Sequence, residues 1–294
     1  MKIATIVMVH KQPAQVARLL ARLGHPQSDT FLHVDQKCEL ADFTAQIKVP
    51  IQLVQPRHNL IWAGMSQVTA MLACMRQVLA SPQPYDYLHF LSGQDYPIRP
   101  LAEWVDFLAQ HQGRQFMQYE LITEPGWWQQ AGHRVRDYHL PDHQFRGRHR
   151  LAWLISRLLP PRQFPLADYL LAGRSSWFTL TRPAAEYVVQ FADAHPQVMR
   201  FFRQTWGPDE IFFPTILHNS PFRPTIVRDN NLRYIDWSTG KASPKTLTLA
   251  DFGAIMASGS FFARKFDPNI DAQVLDAIDQ AVLAIQGMSA TLRR

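Results

Sequence analysis

The first 35 residues constrain the fold more strongly than any other part of the chain. Ile3–Val9 is a nearly all-apolar, β-branched run, which is typical of a strand buried in a parallel sheet. Pro13 then begins a segment with apolar residues at helical spacing, and Gly24 closes it. Residues 31–35 (Phe-Leu-His-Val-Asp) have the pattern of a second strand. A strand, a helix and a strand in so few residues predict the start of a right-handed βαβ unit.

The same alternation continues along the chain. We predict helices at residues 65–79 and 183–194, and strands at residues 85–91 and 176–180. The pattern indicates an α/β fold with an open, mostly parallel sheet flanked by helices. Residues 133–162 break the pattern because they are dense in arginine and histidine, and we interpret them as a long inserted loop or helical excursion.

Three predicted strands are followed by polar residues. His10 and Lys11 follow the first strand, Asp35 and Lys37 lie at the end of the second, and residues 92–95 (Ser-Gly-Gln-Asp) follow the third. Ligands of open α/β sheets bind at the carboxyl ends of the strands. We therefore expect these residues to line one binding site.

Two adjacent carboxylates, Asp209 and Glu210, follow Pro208 in a pattern that predicts the start of a helix. One interpretation is structural, because ionised acids in the first turn interact favourably with the helix dipole. The other is catalytic. Trp206 and the apolar residues 211–213 offer a wall that raises the pKa of a carboxyl group towards that of a general base.

Two adjacent cations, Arg264 and Lys265, lie between phenylalanines. On such an apolar platform they could hold a diphosphate, the arginine through paired hydrogen bonds and the lysine as a point charge. The alternative is a pair of ordinary surface cations. Lys245 is a weaker candidate for the same role.

Several nucleotide and metal motifs are absent from the sequence. There is no Asp-x-Asp pair, which commonly holds a divalent ion against a nucleotide diphosphate, and we expect no metal site. There is also no G-x-G-x-x-G, no P-loop and no G-x-S-x-G, which disfavours dinucleotide, P-loop and hydrolase chemistry. The two cysteines, Cys38 and Cys74, are too few for a disulfide framework.

The net charge of +6 and the pI of about 9.5 favour acidic binding partners. The alternative is that the basic surface only keeps the protein soluble. The N-terminal apolar run is too short for a signal peptide, and no stretch reaches the roughly 18 apolar residues of a membrane span. We therefore expect a soluble, cytoplasmic protein. Residues 134–162 interleave arginine with leucine and tryptophan, which favours contact with the inner membrane face or with an anionic acceptor over nucleic acid.

The main motifs are Leu-Ser-Gly-Gln-Asp-Tyr-Pro-Ile at 91–98, Pro-Asp-Glu at 208–210 and Phe-Phe-Ala-Arg-Lys-Phe-Asp at 261–267, with supporting segments at 33–35, 61–64, 176–178 and 230–233. Together they resemble the core-2/I-branching enzyme and peptide O-xylosyltransferase family (glycosyltransferase family 14). The resemblance is collinear from residue 1 to residue 267. One such motif is a weak signal, whereas several in the right order are a strong one.

The resemblance implies one domain, residues 1–294, with a GT-A-type fold. Residues 1–120 would form a Rossmann-like nucleotide-binding half, and residues 121–294 the acceptor and catalytic half. It further implies a UDP-sugar donor, an inverting reaction, and no metal or other cofactor. The expected sugar is GlcNAc or xylose, and the expected acceptor is a glycan or a lipid-linked glycan.

The resemblance also implies roles for individual residues. Glu210 would be the general base, and Arg264 and Lys265 would stabilise the departing UDP. Our full set of donor and UDP-binding residues is His10, Asp35, Lys37, Lys245, Arg264 and Lys265. Our set near the donor sugar or the acceptor is Trp62, Gly93, Gln94, Asp95, Ser176, Trp177 and Asp209.

The chain departs from the family pattern in two ways. Eukaryotic members have a membrane anchor and many cysteines. This sequence shows neither feature, so it is similar to a bacterial, cytoplasmic version. Xylosyltransferases carry an acidic residue where this chain has Ser176, which argues against a peptide acceptor. Two alternatives to a glycosyltransferase are a non-catalytic nucleotide- or glycan-binding protein and another sugar-nucleotide enzyme such as a nucleotidyltransferase.

Overall fold

The computed structural model describes residues 1–292, so the predicted domain limit at residue 294 lies outside the described residues. The strands are β1 (Ile3–Val9), β2 (Ser28–Val34), β3 (Gln52–Leu53), β4 (Tyr87–Ser92), β5 (Asp95–Pro97), β6 (Gln115–Leu121), β7 (Ala172–Thr181), β8 (Ile226–Val227), β9 (Arg233–Ile235) and β10 (Phe262–Arg264). The helices are α1 (Pro13–Arg22), α2 (Leu40–Thr44), α3 (Met65–Leu79), α4 (Leu101–Gln110), α5 (Trp127–Ala131), α6 (His133–Arg136), α7 (Arg148–Leu158), α8 (Arg182–Ala194), α9 (Pro196–Arg203), α10 (Phe212–His218), α11 (Phe252–Ala257) and α12 (Gln273–Leu292). None of these helices is both long enough and apolar enough to cross a bilayer.

The main sheet has seven strands in the order β3-β2-β1-β4-β7-β6-β8. Its neighbouring strands are parallel except at β7, which runs antiparallel to both β4 and β6. The predicted α/β fold with a mostly parallel sheet flanked by helices is therefore confirmed. A second sheet of three short strands, β5-β10-β9, was not predicted.

The nearly all-apolar sequence of β1 follows from its central place in the sheet. Ala4, Ile6 and Met8 belong to one hydrophobic core, which includes the buried face of α3. Ile3, Val7 and Val9 belong to the other, which includes the buried face of α1. Because successive side chains of a strand point to opposite faces, a strand covered on both sides has apolar residues on both. The one polar residue of β1, Thr5, is buried and hydrogen-bonded to Ser28 Oγ at 2.9 Å.

Pro208 begins a helix as predicted, but that helix is short. Pro208–Glu210 is a single 3-10 turn, and the α-helix begins only at Phe212. Ile211 between them has φ −121°, which interrupts helical geometry. The break places Pro214 in the first turn of α10, where its missing N–H is not needed. Asp209 and Glu210 therefore lie in the short 3-10 turn that precedes the α-helix, and not in the first turn of the α-helix itself.

A buried ion pair links the two outer strands of the small sheet, and the same arginine also donates to the carbonyl of Phe90 in β4 of the main sheet. Arg233 Nε lies 3.0 Å from Asp95 Oδ1, and both side chains are 0% exposed. We expect Asp95→Asn to lower the free energy of unfolding by about 3–5 kcal/mol, because it leaves a buried guanidinium without its carboxylate. Urea denaturation measures this. The exposed pair of Arg76 with Asp193 provides the control, because Asp193→Asn should change stability by less than about 1 kcal/mol. Equal effects of the two variants would contradict the expectation.

Candidate active site

The three polar strand ends predicted to meet do lie side by side. In the register of the sheet Val9 pairs with Val34, and Met8 pairs with Ser92. The backbone N–H of Asp35 donates to the carbonyl of Val9 at 2.8 Å. The residues that follow β1, β2 and β4 therefore share one edge of the sheet.

Asp35 and Lys37 form an ion pair with each other. Asp35 is 2% exposed, and its Oδ2 accepts a hydrogen bond from Lys37 Nζ at 2.8 Å. Lys37 Nζ also contacts Asn59 Oδ1 at 2.9 Å and the carbonyl of Leu60. This pair holds the 59–60 loop against the end of β2. His10 is exposed at the neighbouring strand end.

Gly93 allows the loop after β4 to lie against the sheet. A Cβ at this position would come within 3.0 Å of Val16 and 3.1 Å of Val9. The neighbouring Gln94 is tied to the segment after β10, because its backbone carbonyl accepts from Phe266 N–H at 2.9 Å. The loop therefore has a fixed position beneath the edge of the sheet.

Asp209 and Glu210 lie against β7 near the same edge. Gly173 of β7 permits the close approach, since a Cβ there would lie 3.1 Å from the backbone oxygen of Glu210. Ser176 Oγ donates to Asp209 Oδ2 at 2.6 Å. Burial raises the pKa of Asp209, and the bond from Ser176 opposes that rise. Ser176 therefore supports Asp209.

Glu210 has the electrostatics of a base that works at neutral pH. Burial, and then the charge of Asp209, raise its pKa to about 7 from an ordinary value of 4.5, while Arg134 opposes the rise. Arg134 Nη1 lies 2.5 Å from Glu210 Oε2. A carboxyl group with a pKa near 7 is partly ionised at neutral pH and still takes up a proton readily, which suits a general base.

Sequence reasoning did not find Arg134, because it lies in the basic segment that we interpreted as an excursion. Arg134 lies in helix α6, which places it against Glu210. The guanidinium of Arg134 lies 5.0 Å from the ring centroid of Trp127. Gly207, at φ 63°, adjoins this pair, and a Cβ there would lie 3.2 Å from Arg134 Nη1. The segment therefore contributes to the site through its first helix.

Arg264 lies in the middle of the charged cluster. It pairs with Asp95 in the register of the small sheet, and its guanidinium lies 4.4 Å from the ring centroid of Trp177. Burial lowers its pKa, while Asp95, Glu210 and then Asp209 oppose that fall. Its Nε is buried and has no hydrogen-bond partner among the described residues. A buried N–H of this kind is suited to an anionic ligand.

Lys265 extends the positive charge toward β1. Burial lowers its pKa, and Arg264 and then Lys11 lower it further. Lys11 Nζ in turn pairs with Asp267 at 3.0 Å. Sequence reasoning placed Lys11 at a strand end but did not include it among the site residues. Its position beside the 265–267 segment follows only from the folded chain.

Lys245 is engaged elsewhere. Its Nζ lies 2.5 Å from Asp251 Oδ1 and 3.9 Å from Asp236 Oδ2. The segment is still close to the site, because Leu247 N–H donates to the carbonyl of Lys265 at 2.9 Å. A donor-binding role for Lys245 stays a prediction, and it would require at least one of these ion pairs to open.

Trp62 stands beside the Glu210 turn and is 63% exposed. Its ring packs edge-on against Trp206, with the two centroids 5.4 Å apart. The N–H of Gly207 donates to the carbonyl of Ala63 at 2.9 Å and so ties the two segments together. An exposed indole next to a candidate base is suited to stacking against a sugar ring.

Most of the predicted residues converge at this edge. Asp95, Ser176, Trp177, Asp209, Glu210, Arg264 and Lys265 form one cluster, and Gly93, Gln94 and Trp62 border it. His10, Asp35 and Lys37 lie at the neighbouring strand ends. Over residues 1–292, no group of three or more His, Cys, Asp or Glu side chains is placed to hold a metal ion.

A profile of the core-2/I-branching enzyme family matches residues 3–256. The chain belongs to this family. The resemblance predicted from the motifs is thereby confirmed.

Xylosyltransferases are prominent among the similar sequences in this comparison. Xylosyltransferase 2 of Rattus norvegicus is 29% identical over 306 residues, which cover 95% of this chain and 33% of that protein. The Homo sapiens protein of the same name is 30% identical with the same coverage. Xylosyltransferase oxt of Drosophila pseudoobscura pseudoobscura is 29% identical over 90% of this chain and 31% of its own length. The chain spans about a third of the length of these curated relatives.

The titration of Glu210 in this core-2/I-branching family member can be tested without any substrate. We expect an NMR titration of its carboxyl carbon to show an inflection near pH 7. In Arg134→Ala the inflection should move to higher pH, because the positive charge that favours ionisation is gone. Arg136→Ala in the same helix is the matched control and should leave it unchanged. An inflection near 4.5 in the wild type would contradict the expectation.

The same raised pKa makes stability depend on pH. Because the pKa is higher in the folded chain than in the unfolded chain, Glu210 contributes stability that is fully present below pH 4.5 and is lost as the pH rises through 7. Glu210→Gln should remove this part of the pH dependence.

Proposed function

We propose that the chain is a metal-independent, inverting glycosyltransferase of the GT-A type that uses a UDP-sugar donor. The observation that carries the proposal is the placement of a carboxylate of pKa about 7 near a half-buried guanidinium whose buried Nε has no partner among the described residues. The first group can take a proton from an acceptor hydroxyl. The second can meet the negative charge that develops on a leaving diphosphate. Family membership supports this assignment of roles.

Glu210 acts on the acceptor. Its ionised carboxylate removes the proton from an acceptor hydroxyl while that oxygen attacks the anomeric carbon from the face opposite to UDP. The new C–O bond forms as the bond from the anomeric carbon to the β-phosphate oxygen breaks, so the anomeric configuration inverts. Arg134 keeps Glu210 oriented and holds its pKa from rising further. A general base in such a step contributes roughly 10² to 10⁴ in rate.

Arg264 and Lys265 act on the leaving group. The negative charge of the departing UDP grows on the β-phosphate, and fixed cations in a poorly solvated site stabilise that charge strongly. Arg264 is held in place by Trp177 on one side and by the backbone pairing with Asp95 on the other. These cations would do what a divalent metal ion does in metal-dependent glycosyltransferases.

The proposed donors are UDP-GlcNAc and UDP-xylose, and the proposed acceptor is a hydroxyl of a glycan or a lipid-linked glycan. The names of the relatives support xylose. Ser176 supports a non-peptide acceptor. It stands where the family's xylosyltransferases carry an acidic residue, and here it donates a hydrogen bond to Asp209. Trp62 offers a stacking surface for the acceptor.

A UDP-release assay over a panel of UDP-sugars, run in EDTA, tests the proposal. We expect one donor to give UDP release that depends on the acceptor and is unchanged by the chelator. The control is the same assay with added manganese, which should not raise the rate. Activity that requires manganese would overturn the metal-independent mechanism. If no donor bound in calorimetry, the glycosyltransferase assignment itself would fail.

A further inference from the structure

Helix α7 carries its apolar side chains on the outside of the protein. Of its eleven residues, all of them described, only Ala152 is buried. Leu151, Trp153, Leu154 and Leu158 are 42%, 59%, 46% and 73% exposed. Scattered apolar residues are normal on a protein surface, but several on one short helix mark an interaction surface. We call these four residues the α7 face.

The arrangement of this face follows from helical geometry. At 100° per residue, Leu151, Leu154 and Leu158 form a stripe beside the packed side of the helix, which is centred on Ala152. Arg150 and Arg157 follow next around the exposed side, and Trp153 comes after them. The order is a leucine stripe, two cations and an indole, so the exposed side of the helix offers both apolar side chains and positive charge, the two features by which helices bind anionic membrane surfaces.

The charge of the surrounding segment has one sign. Residues 143–167 contain five arginines and no aspartate or glutamate. Two of the arginines have structural roles: Arg148 donates to backbone carbonyls at 2.9 and 3.1 Å, and Arg162 donates to the carbonyl of Gln204 at 2.6 Å. Arg146, Arg150 and Arg157 are exposed. The α7 face is therefore bordered by exposed cations, which complement an anionic surface. One of them, Arg157, also lies 5.1 Å from the ring centroid of Trp153.

The segment is anchored next to the Glu210 site. Asp142, just ahead of it, accepts a hydrogen bond from the N–H of Met65 at 2.9 Å, at the start of α3. His149 of α7 lies 6.0 Å from Trp206, measured between ring centroids. Trp206 in turn packs on Trp62. The position of α7 is thus fixed relative to the mouth of the site.

We propose that the α7 face docks the protein on an anionic phospholipid bilayer. The leucine stripe and Trp153 enter the interface between headgroups and acyl chains, while Arg146, Arg150 and Arg157 bind lipid phosphates. The one-signed charge favours a bilayer over a second copy of the chain, because two such faces brought together would place arginines against arginines without a compensating acid. The proposal does not depend on the donor or on Glu210.

Vesicle co-sedimentation of the full chain tests the proposal. The probes are vesicles of phosphatidylcholine alone and of phosphatidylcholine mixed with phosphatidylglycerol. We expect binding to the mixed vesicles, weakened by salt, and at least roughly tenfold weaker binding to the neutral ones. Arg150→Glu with Arg157→Glu should weaken it by about 25-fold or more, since each arginine near an anionic surface contributes roughly fivefold.

A second pair of variants tests the apolar contribution. Leu154→Glu with Leu158→Glu should lower vesicle binding by roughly tenfold or more, because both side chains would otherwise enter the interface. Matched controls are Leu283→Glu, an exposed leucine of α12, and Arg114→Glu, an exposed arginine before β6. Both controls should bind like the wild type. Thermal melts verify that all variants are folded.

Several outcomes would overturn the proposal. Equal binding to both kinds of vesicle would show that anionic lipid is not required. If the control variants lost as much vesicle binding as the α7 variants, the α7 face would not be the membrane-binding surface. Absence of vesicle binding, together with a dimer in sedimentation velocity that the leucine variants abolish, would make this face an interface between copies of the chain. None of these results bears on UDP release, so the proposed function stands or falls separately.

Discussion

Glu210→Gln is expected to lower kcat/KM for sugar transfer by about a thousandfold, within the range for loss of a general base. Glutamine is nearly the same size and can still accept a hydrogen bond from Arg134, but it cannot take a proton from the acceptor. The loss should therefore fall on kcat, with the affinity for UDP unchanged in calorimetry. UDP release under saturating donor and acceptor measures it.

Two controls separate this effect from a structural one. The melting temperature of Glu210→Gln at pH 8 should equal or exceed that of the wild type, because the variant no longer ionises a carboxyl group in a buried setting. Glu124→Gln removes the charge of another carboxylate that is paired with an arginine, Arg228, and it should leave the rate nearly unchanged. If Glu210→Gln retained more than about a tenth of the activity, Glu210 would not be the base.

Arg264→Ala is expected to lower kcat by about 10² to 10³, because it removes a fixed cation from the position where the leaving group gains charge. The affinity for UDP should fall as well, since UDP carries the same diphosphate. Arg264→Lys should recover part of the rate, because the charge returns without the stacking on Trp177 or the fork of donors. Single-turnover rates with a saturating donor provide the measurement.

Arg228 offers a matched control for this second variant. Its guanidinium lies 5.0 Å from the ring centroid of Tyr119, much as that of Arg264 lies against Trp177, and unlike Arg264 it also pairs with Glu124. It is not part of the cluster around Glu210. Arg228→Ala should alter stability without changing the single-turnover rate by more than about twofold. If Arg264→Ala raised KM for the donor and left kcat unchanged, the arginine would bind the donor without stabilising the transition state.

Much of the fold was predictable from the sequence because its signals are local. The run of apolar residues at Ile3–Val9 can pack only as a strand covered on both faces, and the structure places it at the centre of the sheet. The helix Met65–Leu79 has its predicted bounds. The small sheet escaped prediction because β5, β9 and β10 have three residues each, too few to show a periodicity.

The candidate site was only partly predictable, for a related reason. Glu210 and Arg264 stand in motifs with distinctive neighbours, and they could be named from the sequence. Arg134 stands in a segment with many arginines, and nothing in its immediate neighbours sets it apart from Arg136. Its role depends on a contact with a residue 76 positions away.

What the sequence determined by itself is the set of chemical groups and the order of the elements: a parallel α/β chain, acids after Pro208 and cations after Phe262. Tertiary structure decided which of these groups meet. Gly173 and Gly207, which have no side chain to signal a function, allow the backbone of Glu210 to lie against β7 and leave room for Arg134 beside it. The pKa of about 7 arises only there, because its largest cause, burial, is a property of a folded site and not of a residue in a chain.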